Sequence, residues 1–306
     1  MRNFTVTEKA GLLDYLFKVL RDTKKTRVRK FLQSKSVSVN GRISTRFDEG
    51  LEPGDRVAIQ TGHAERPKPP LKFGIQKIYE DDSLIVIDKP SGLLSVATDK
   101  IQIRTAIRAV NDYLSEIGNQ HFSKSRDHKF KSKKKIFVVH RLDKEASGLL
   151  VFAKNEKVKR ELQKRWKEVR KKYFAVVEGR PEKESGTLKS CLHENPFLKV
   201  YSGPKDGKYS ITHYRRLESG GRHSLLEIDL ETGRKHQIRV HLSDLGHPVA
   251  GDKVYGSRSD PAGRLALHAS FLSFKHPVTG KQLEFETPLP PSFKKILSPD
   301  PSSHAG

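Results

Sequence analysis

The chain has 306 residues and a formal net charge of +23 at pH 7, from 59 Lys and Arg against 36 Asp and Glu. Its single cysteine excludes an internal disulfide and any zinc or iron–sulfur site built from several cysteines. No apolar run approaches the roughly 20 residues of a membrane span, and the first residues lack the apolar core of a signal peptide. A cytoplasmic protein with a polyanionic partner is therefore expected, since Lys and Arg gain affinity for phosphates by releasing counterions.

Residues 1–62 carry two helix-like segments followed by short alternating strands at 37–39 and 57–59. Four leucines recur at helical spacing in the first helix and are expected to face a small core: Leu12, Leu13, Leu16 and Leu20. The proline-rich residues 63–72 that follow are typical of an extended linker. The sequence therefore predicts a small α/β domain at 1–62 and a domain boundary within the linker.

The second helix of this domain and the turn after it are strongly basic. Together with the stretches SVSVNGRI and LEPGDRVAI, the segment resembles the small RNA-binding domain that is named after a small-subunit ribosomal protein. The resemblance implies that RNA is contacted by Lys24, Lys25, Arg27, Arg29, Lys30, Lys35, Asn40 and Arg42. The alternative is a basic helical hairpin whose charges are merely solvated.

Beyond the linker, strand-like and helix-like pieces alternate, which predicts an α+β or mixed-sheet domain over residues 73–293. Residues 83–87 are predicted as a buried strand, 157–169 as an amphipathic helix and 173–179 as another strand. A dense basic run forms an insertion at about 119–135, for which a disordered loop and a phosphate clamp are compatible interpretations.

Two further segments complete the prediction for this domain. Residues 232–242 are predicted as a strand, which would place His236 and His241 on opposite faces of a sheet. Residues 294–306 are rich in Pro and Ser and are predicted to be a disordered tail.

The segment HRLDKEASGLL, which follows the apolar run 136–139, carries the most specific candidate for chemistry. Asp143 stands there between Arg141 and Lys144. Nearby cations favour the charged form of a carboxyl group, so we expect Asp143 to be ionised and nucleophilic at neutral pH. For these few residues alone, a surface turn with an ordinary ion pair remains the alternative.

Four sequence blocks in a fixed order resemble the RluA-type family of RNA pseudouridine synthases. They are LIVIDKPSGLLSV, HRLDKEASGLLVFAK, KKYFAVVEG and TGRKHQIRVHLSDLGHPVAGDKVYG, and RLALHA follows as a fifth. The resemblance implies an α+β fold with a mixed, largely antiparallel central sheet and flanking helices. It also implies isomerisation of uridine to pseudouridine in RNA with no cofactor and no metal.

The same resemblance assigns roles residue by residue. Asp143 would be the catalytic aspartate, and Arg141 would help to open the base stack and hold the flipped nucleotide. Tyr173 would stack on the target base, Arg239 would pair with Asp143, and Leu267 would line the uracil pocket. The expected partner is RNA bound by a monomer, with large-subunit ribosomal RNA favoured and transfer RNA as the alternative.

Other functional classes fit the sequence less well. The HRLD stretch is superficially like the HRD of protein kinases, but a glycine-rich loop with a strand lysine and a downstream DFG are absent. The HExxH arrangement of zinc hydrolases and the GxxxxGK[ST] phosphate loop are absent too. The remaining alternative is a non-catalytic RNA-binding or ribosome-assembly factor that has kept the fold.

Overall fold

The computed structural model describes residues 2–59, 69–98, 101–122 and 135–297, with no description of the side chains at 118–122. The chain forms two compact units, Met1–Lys68 and Pro69–Gly306, and the division falls inside the predicted linker. Residues 63–68 of that linker, most of the predicted basic insertion and residues 298–306 of the predicted tail lie outside the described residues.

The first unit combines two helices with short strands. Its elements are β1 (Arg2–Thr5), β2 (Ala10–Gly11), α1 (Leu12–Val19), α2 (Lys25–Gln33), β3 (Val37–Val39), β4 (Arg42–Ile43), β5 (Gly50–Leu51) and β6 (Arg56–Ile59). Strands β1, β6, β3 and β4 form an antiparallel sheet in that order, and β2 pairs with β5. The predicted leucine face is confirmed, because Leu12, Leu16 and Leu20 are buried and Leu13 packs against the same core.

The second unit is built on one large sheet. Its elements are β7 (Gln76–Glu80), β8 (Leu84–Lys89), α3 (Ala106–Phe122), β9 (Phe137–Val138), β10 (Ser147–Ala153), α4 (Glu156–Lys164), β11 (Arg170–Glu178), β12 (Ser185–Glu194), β13 (Val200–Gly203), β14 (Lys208–Gly220), β15 (His223–Leu230), α5 (Gln237–Asp244), β16 (Leu267–Lys275), β17 (Gln282–Glu286) and α6 (Pro291–Leu297). The strand order is β13-β12-β14-β15-β11-β16-β10-β8-β7, with β17 added on β16 and β9 on β10. The expected α+β class with a mixed, largely antiparallel sheet is confirmed.

Strand β10 lies between β16 and β8 in this sheet and is buried along its whole length. Its side chains alternate between two cores: Leu150 and Phe152 pack with α3, whereas Leu149 and Val151 pack with α4. Among the described strands, β10 and β16 form the one parallel pair. There a Cβ at Gly148 would lie 2.2 Å from the carbonyl oxygen of Ala269, so the close approach requires glycine.

Two predictions for this unit are wrong. Residues 237–244 form helix α5 instead of a strand. The segment is buried on more than one side, since Ile238 packs in the cluster that contains Leu267 and Val240 packs towards β12 and β13. Periodicity cannot separate a fully buried helix from a strand. The predicted tail begins too early, since α6 continues to Leu297, whose side chain is buried.

The described helices include none with the length and apolarity that crossing a membrane requires.

Candidate active site

Asp143 lies in the segment between β9 and β10, and its side chain is 25% exposed. Leu142 and Ala146 on either side are buried, whereas Arg141 and Lys144 are exposed. The buried neighbours anchor the segment in the core, so the carboxylate stands at the surface of a fixed loop.

The loop that follows β8 holds this segment by its backbone. Ser95 donates to the carbonyl oxygen of Leu142 at 2.8 Å and accepts from the N–H of Leu142 at 3.1 Å. The N–H of Gly92 donates to the carbonyl oxygen of Lys144 at 2.9 Å, and the hydroxyl of Ser91 donates to that of Glu145 at 2.5 Å. The backbone is therefore held on both sides of Asp143.

Lys89, the last residue of β8, completes this attachment. Its fully buried ammonium contacts four carbonyl oxygens, those of Pro90 at 3.0 Å, Leu93 at 2.8 Å, Lys144 at 3.2 Å and Ala146 at 2.6 Å. Burial lowers the pKa of the ammonium to about 8, and the negative charge of Asp143 opposes that shift. The lysine therefore carries its charge at neutral pH and joins the two loops.

Arg239, in the first turn of α5, contacts two carboxylates. Its Nε and Nη2 donate to the fully buried Asp252 at 2.7 and 2.9 Å, and its Nη1 donates to Asp143 at 3.2 Å. Burial opposes the positive charge, but the hydrogen bonds and charge of Asp252, and then the charge of Asp143, raise the pKa of the guanidinium above its ordinary value. The bidentate pair fixes the plane of the guanidinium and aims its remaining nitrogen at Asp143.

Two further side chains lie beside Asp143. Nε2 of His236 is 3.8 Å from the Asp143 carboxylate, and its Nδ1 is 2.8 Å from the hydroxyl of Tyr255. That hydroxyl also accepts the N–H of Val200 at 3.1 Å, and the Arg239 guanidinium lies 4.8 Å from the centre of the Tyr255 ring. Burial lowers the pKa of His236, which favours a neutral imidazole, although Asp143 opposes the shift.

Tyr173 lies on β11, where the register with β16 shifts between Lys172 and Tyr173. Its partly buried ring packs against two clusters, one that contains Ala175 and Leu267 and one that contains Leu142 and Ala269. Burial, and then the charge of Asp143, raise the pKa of its hydroxyl, so the phenol keeps its proton at neutral pH. Leu267 is buried on β16 opposite Ala175, in a core against which Tyr173 packs.

The histidine of the HRLD stretch is structural. Nε2 of His140 accepts the N–H of Val151 at 3.1 Å, and its ring stacks on Trp166 at 4.5 Å. Burial and then the charge of Lys171 lower its pKa to about 3, so the imidazole is neutral at physiological pH.

All eight predicted RNA contacts of the first unit are exposed: Lys24, Lys25, Arg27, Arg29, Lys30, Lys35, Asn40 and Arg42. The side chain of Asn40, however, is used within the unit, because it donates to Asp55 at 2.8 Å and accepts from the N–H of Arg56 at 2.9 Å. Lys25 and Arg29 both lie over the ring of Phe17.

Sequence reasoning gave no role to Lys89, Asp252 or Tyr255, and it gave His236 a role in packing or RNA contact but none beside Asp143. All four occur within the blocks quoted above, but their spacing carries no sign of the long-range contacts that they make. Within the described residues, no three His, Cys, Asp or Glu side chains come together as metal ligands would.

Replacing Lys89 by Met is expected to lower the free energy of unfolding by about 3 kcal/mol, because the buried carbonyl oxygens of Leu93 and Ala146 lose their donor. It should also increase hydrogen exchange in residues 142–146. Urea unfolding and exchange measurements would test this, with the half-exposed Lys144→Met as the control in the same loop. Equal unfolding free energies for the two variants would contradict the proposed attachment.

Residues 83–244 match the family model of the RNA pseudouridylate synthases. Two relatives match over 92% of this chain, each with 33% identity. One is an uncharacterised RNA pseudouridine synthase of Synechocystis sp., 86% of which is covered, and the other is the ribosomal large subunit pseudouridine synthase D of Nitrosomonas europaea, 82% of which is covered.

Two solved human structures share the fold. RNA pseudouridylate synthase domain containing 4 matches with a TM-score of 0.55 and 25% identity, over 72% of this chain and 90% of its own. RNA pseudouridylate synthase domain containing 1 matches with a TM-score of 0.53 and 26% identity, over 72% and 85%. The chain belongs to the RNA pseudouridylate synthase family, whose members are isomerases that convert uridine in RNA to pseudouridine.

Proposed function

We propose that the protein converts specific uridines of large-subunit ribosomal RNA to pseudouridine, with Asp143 as the catalytic carboxylate and the target nucleotide flipped out of its stack. The observation that carries the proposal is that the Asp143 carboxylate is 25% exposed, and therefore accessible, while the buried Arg239 donates a hydrogen bond to it. The choice of RNA follows the relatives of Nitrosomonas europaea and Escherichia coli that are named ribosomal large subunit pseudouridine synthase D. The enzyme would act as a monomer in the cytoplasm, where ribosomal RNA is found.

The reaction breaks the bond from ribose C1′ to N1 of uracil and forms a bond from C1′ to C5. C5 loses a proton and N1 gains one, so the reaction is an isomerisation without oxidation or group transfer from outside. Two routes are open to the Asp143 carboxylate, addition to C1′ or removal of the C2′ proton to leave an unsaturated sugar. Both routes require a charged carboxylate fixed beside the ribose.

Arg239 supports this role because its orientation is set before substrate binds. Asp252 holds two of its nitrogens, so the third keeps its direction while charge at Asp143 changes during the reaction. Preorganised donors of this kind stabilise charge without reorganisation. The neutral imidazole of His236, on the other side of the carboxylate, adds a polar group whose proton lies on Nε2 when the Tyr255 hydroxyl donates to Nδ1.

Arg141 and Tyr173 support flipping. Extruding a nucleotide costs a few kcal/mol of stacking, and the exposed Arg141 is two residues from Asp143, where it can fill the gap. The Tyr173 ring, backed by the core that contains Leu267, offers an apolar surface for the freed uracil. Because its hydroxyl keeps its proton, stacking rather than proton removal is the role that fits Tyr173.

A non-catalytic RNA-binding factor is the competing function, but a charged acid at an RNA-facing surface weakens binding by repulsion of phosphates. Asp143→Asn is expected to lower kcat at least about a thousandfold while RNA affinity stays similar or becomes tighter. The assay is tritium release from C5-labelled large-subunit ribosomal RNA and transfer RNA, both unmodified. Glu145→Gln, in the same loop, is the control and should keep its kcat. Unchanged turnover in Asp143→Asn would refute the role of Asp143. Tritium release from transfer RNA alone would show that transfer RNA is the substrate in place of ribosomal RNA.

Tyr173→Ala is expected to lose most of the activity because the freed uracil is poorly retained, whereas Tyr173→Phe keeps the ring and should retain a large part of it. Single-turnover rates of both variants on the responding RNA would measure this. If the Phe variant were as inactive as the Ala variant, the hydroxyl would be the required group and the stacking role would be wrong.

Neutralising three exposed residues of α2 in the triple variant K25Q/R27Q/R29Q is expected to weaken binding to ribosomal RNA and leave kcat unchanged. Each lost phosphate contact removes roughly 0.7 to 0.9 from the slope of log Kd against log salt concentration, so the slope should become shallower by about two. The triple variant K157Q/R160Q/K164Q, on the exposed face of α4, is the matched control. An equal loss of RNA affinity in both variants would show that the first unit has no special part in RNA binding.

A further inference from the structure

The turn between β12 and β13 carries an unusually exposed aromatic ring. Phe197 is 90% exposed, more than any other large hydrophobic side chain that the structure describes, and its neighbour Leu198 is 65% exposed. Exposing a phenylalanine ring to water is unfavourable relative to burying it, and the Phe197 ring belongs to none of the hydrophobic clusters that the structure describes.

The turn is held in a defined conformation. The N–H of Leu198 donates to the carbonyl oxygen of Asn195 at 2.8 Å, and the Asn195 side chain accepts the N–H of Lys199 at 2.9 Å. Lys235 donates to the carbonyl oxygen of Leu198 at 2.9 Å. Leu198 has φ 62°, a conformation that is uncommon for a bulky residue, and such strain concentrates at binding and catalytic sites.

The same turn is attached to the active site. Val200, the first residue of β13, donates its N–H to the Tyr255 hydroxyl that contacts His236. The ammonium of Lys199 lies 6.0 Å from the centre of the Tyr255 ring, and the Arg239 guanidinium lies 4.8 Å from that same centre. Lys235 directly precedes His236 in the chain. One side chain, Tyr255, therefore separates the turn from the residues around Asp143.

The charge around the ring is suited to a polyanion. Lys199, Lys208 and Lys235 are exposed, and the acid among them, Glu194, pairs with Lys235. Lys235, and then Lys208, help to hold the pKa of the Glu194 carboxyl below its ordinary value. A protein partner of acidic character would also be attracted, but an isolated aromatic ring among lysines is the pattern that binds unpaired nucleotides by stacking and phosphate contact.

We propose that the turn 195–199 binds an unpaired nucleotide of the RNA next to the target uridine, with its base stacked on Phe197 and its phosphate near Lys199. The proposal rests on RNA as the substrate of the proposed function. It assigns to this turn the recognition of the strand that flanks the flipped uridine, and it leaves the chemistry to Asp143.

The test compares Phe197→Ala, Phe197→Leu and Phe197→Trp with the wild type. Val278→Ala, which changes an exposed apolar residue in the turn before β17, is the control. Filter binding of an unmodified large-subunit ribosomal RNA transcript gives Kd, and tritium release from the same transcript gives KM and kcat. Phe197→Ala and Phe197→Leu are expected to raise Kd and KM about tenfold with kcat within twofold, while Phe197→Trp and Val278→Ala stay near wild type.

Wild-type Kd and KM for Phe197→Ala would overturn the proposal, and so would a Leu variant as good as the Trp variant, since that would show apolar contact without stacking. Failure of the proposed function is separately visible. If the wild type released no tritium but Phe197→Ala still weakened binding of the transcript, the turn would be an RNA site on a protein with another substrate or no activity on this RNA.

Discussion

The geometry of the site depends on one buried ion pair, that between Arg239 and Asp252. Asp252 has no exposed side-chain surface and accepts hydrogen bonds from two nitrogens of the guanidinium. The direction of the third nitrogen is thereby fixed. Removing one partner of such a pair typically costs about 3 to 5 kcal/mol, because the other charge stays buried alone. The pair thus fixes α5 against the segment after it, and the direction of the free nitrogen determines where Asp143 is held.

Around this pair, the backbone departs from regular structure at several points. His236 has φ 55° immediately before α5, and β11 shifts its register at Tyr173. Gly148 allows β10 to approach β16 closely just after the Asp143 loop. Two of these departures position side chains near Asp143: His236 lies 3.8 Å from its carboxylate, and the charge of Asp143 adds to burial in raising the pKa of Tyr173.

The sequence predicted the parts whose signals are local. Strand β8, strand β11 and the buried leucines of α1 follow from apolar patterns, and Asp143 from the cations beside it in the chain. The contact between Asp143 and Arg239, which are 96 residues apart, was accessible only through family resemblance. Lys89 and Asp252 were missed because the sequence does not distinguish a charged residue that is buried from one that is exposed. Helix α5 was mistaken for a strand because polar and apolar residues alternate from Gln237 to Leu242, as they would in a strand, while all six are buried in a helix.

The attachment of the Asp143 loop has a consequence for how this enzyme can diverge. Lys89, Ser91 and Gly92 hold the loop through carbonyl oxygens, which every amino acid supplies. The side chains of Lys144 and Glu145 take no part in that attachment; each is half exposed, and the two contact each other at 3.3 Å. These two side chains can therefore change without loss of the backbone contacts that hold Asp143, so the surface beside the carboxylate can vary while its position stays fixed.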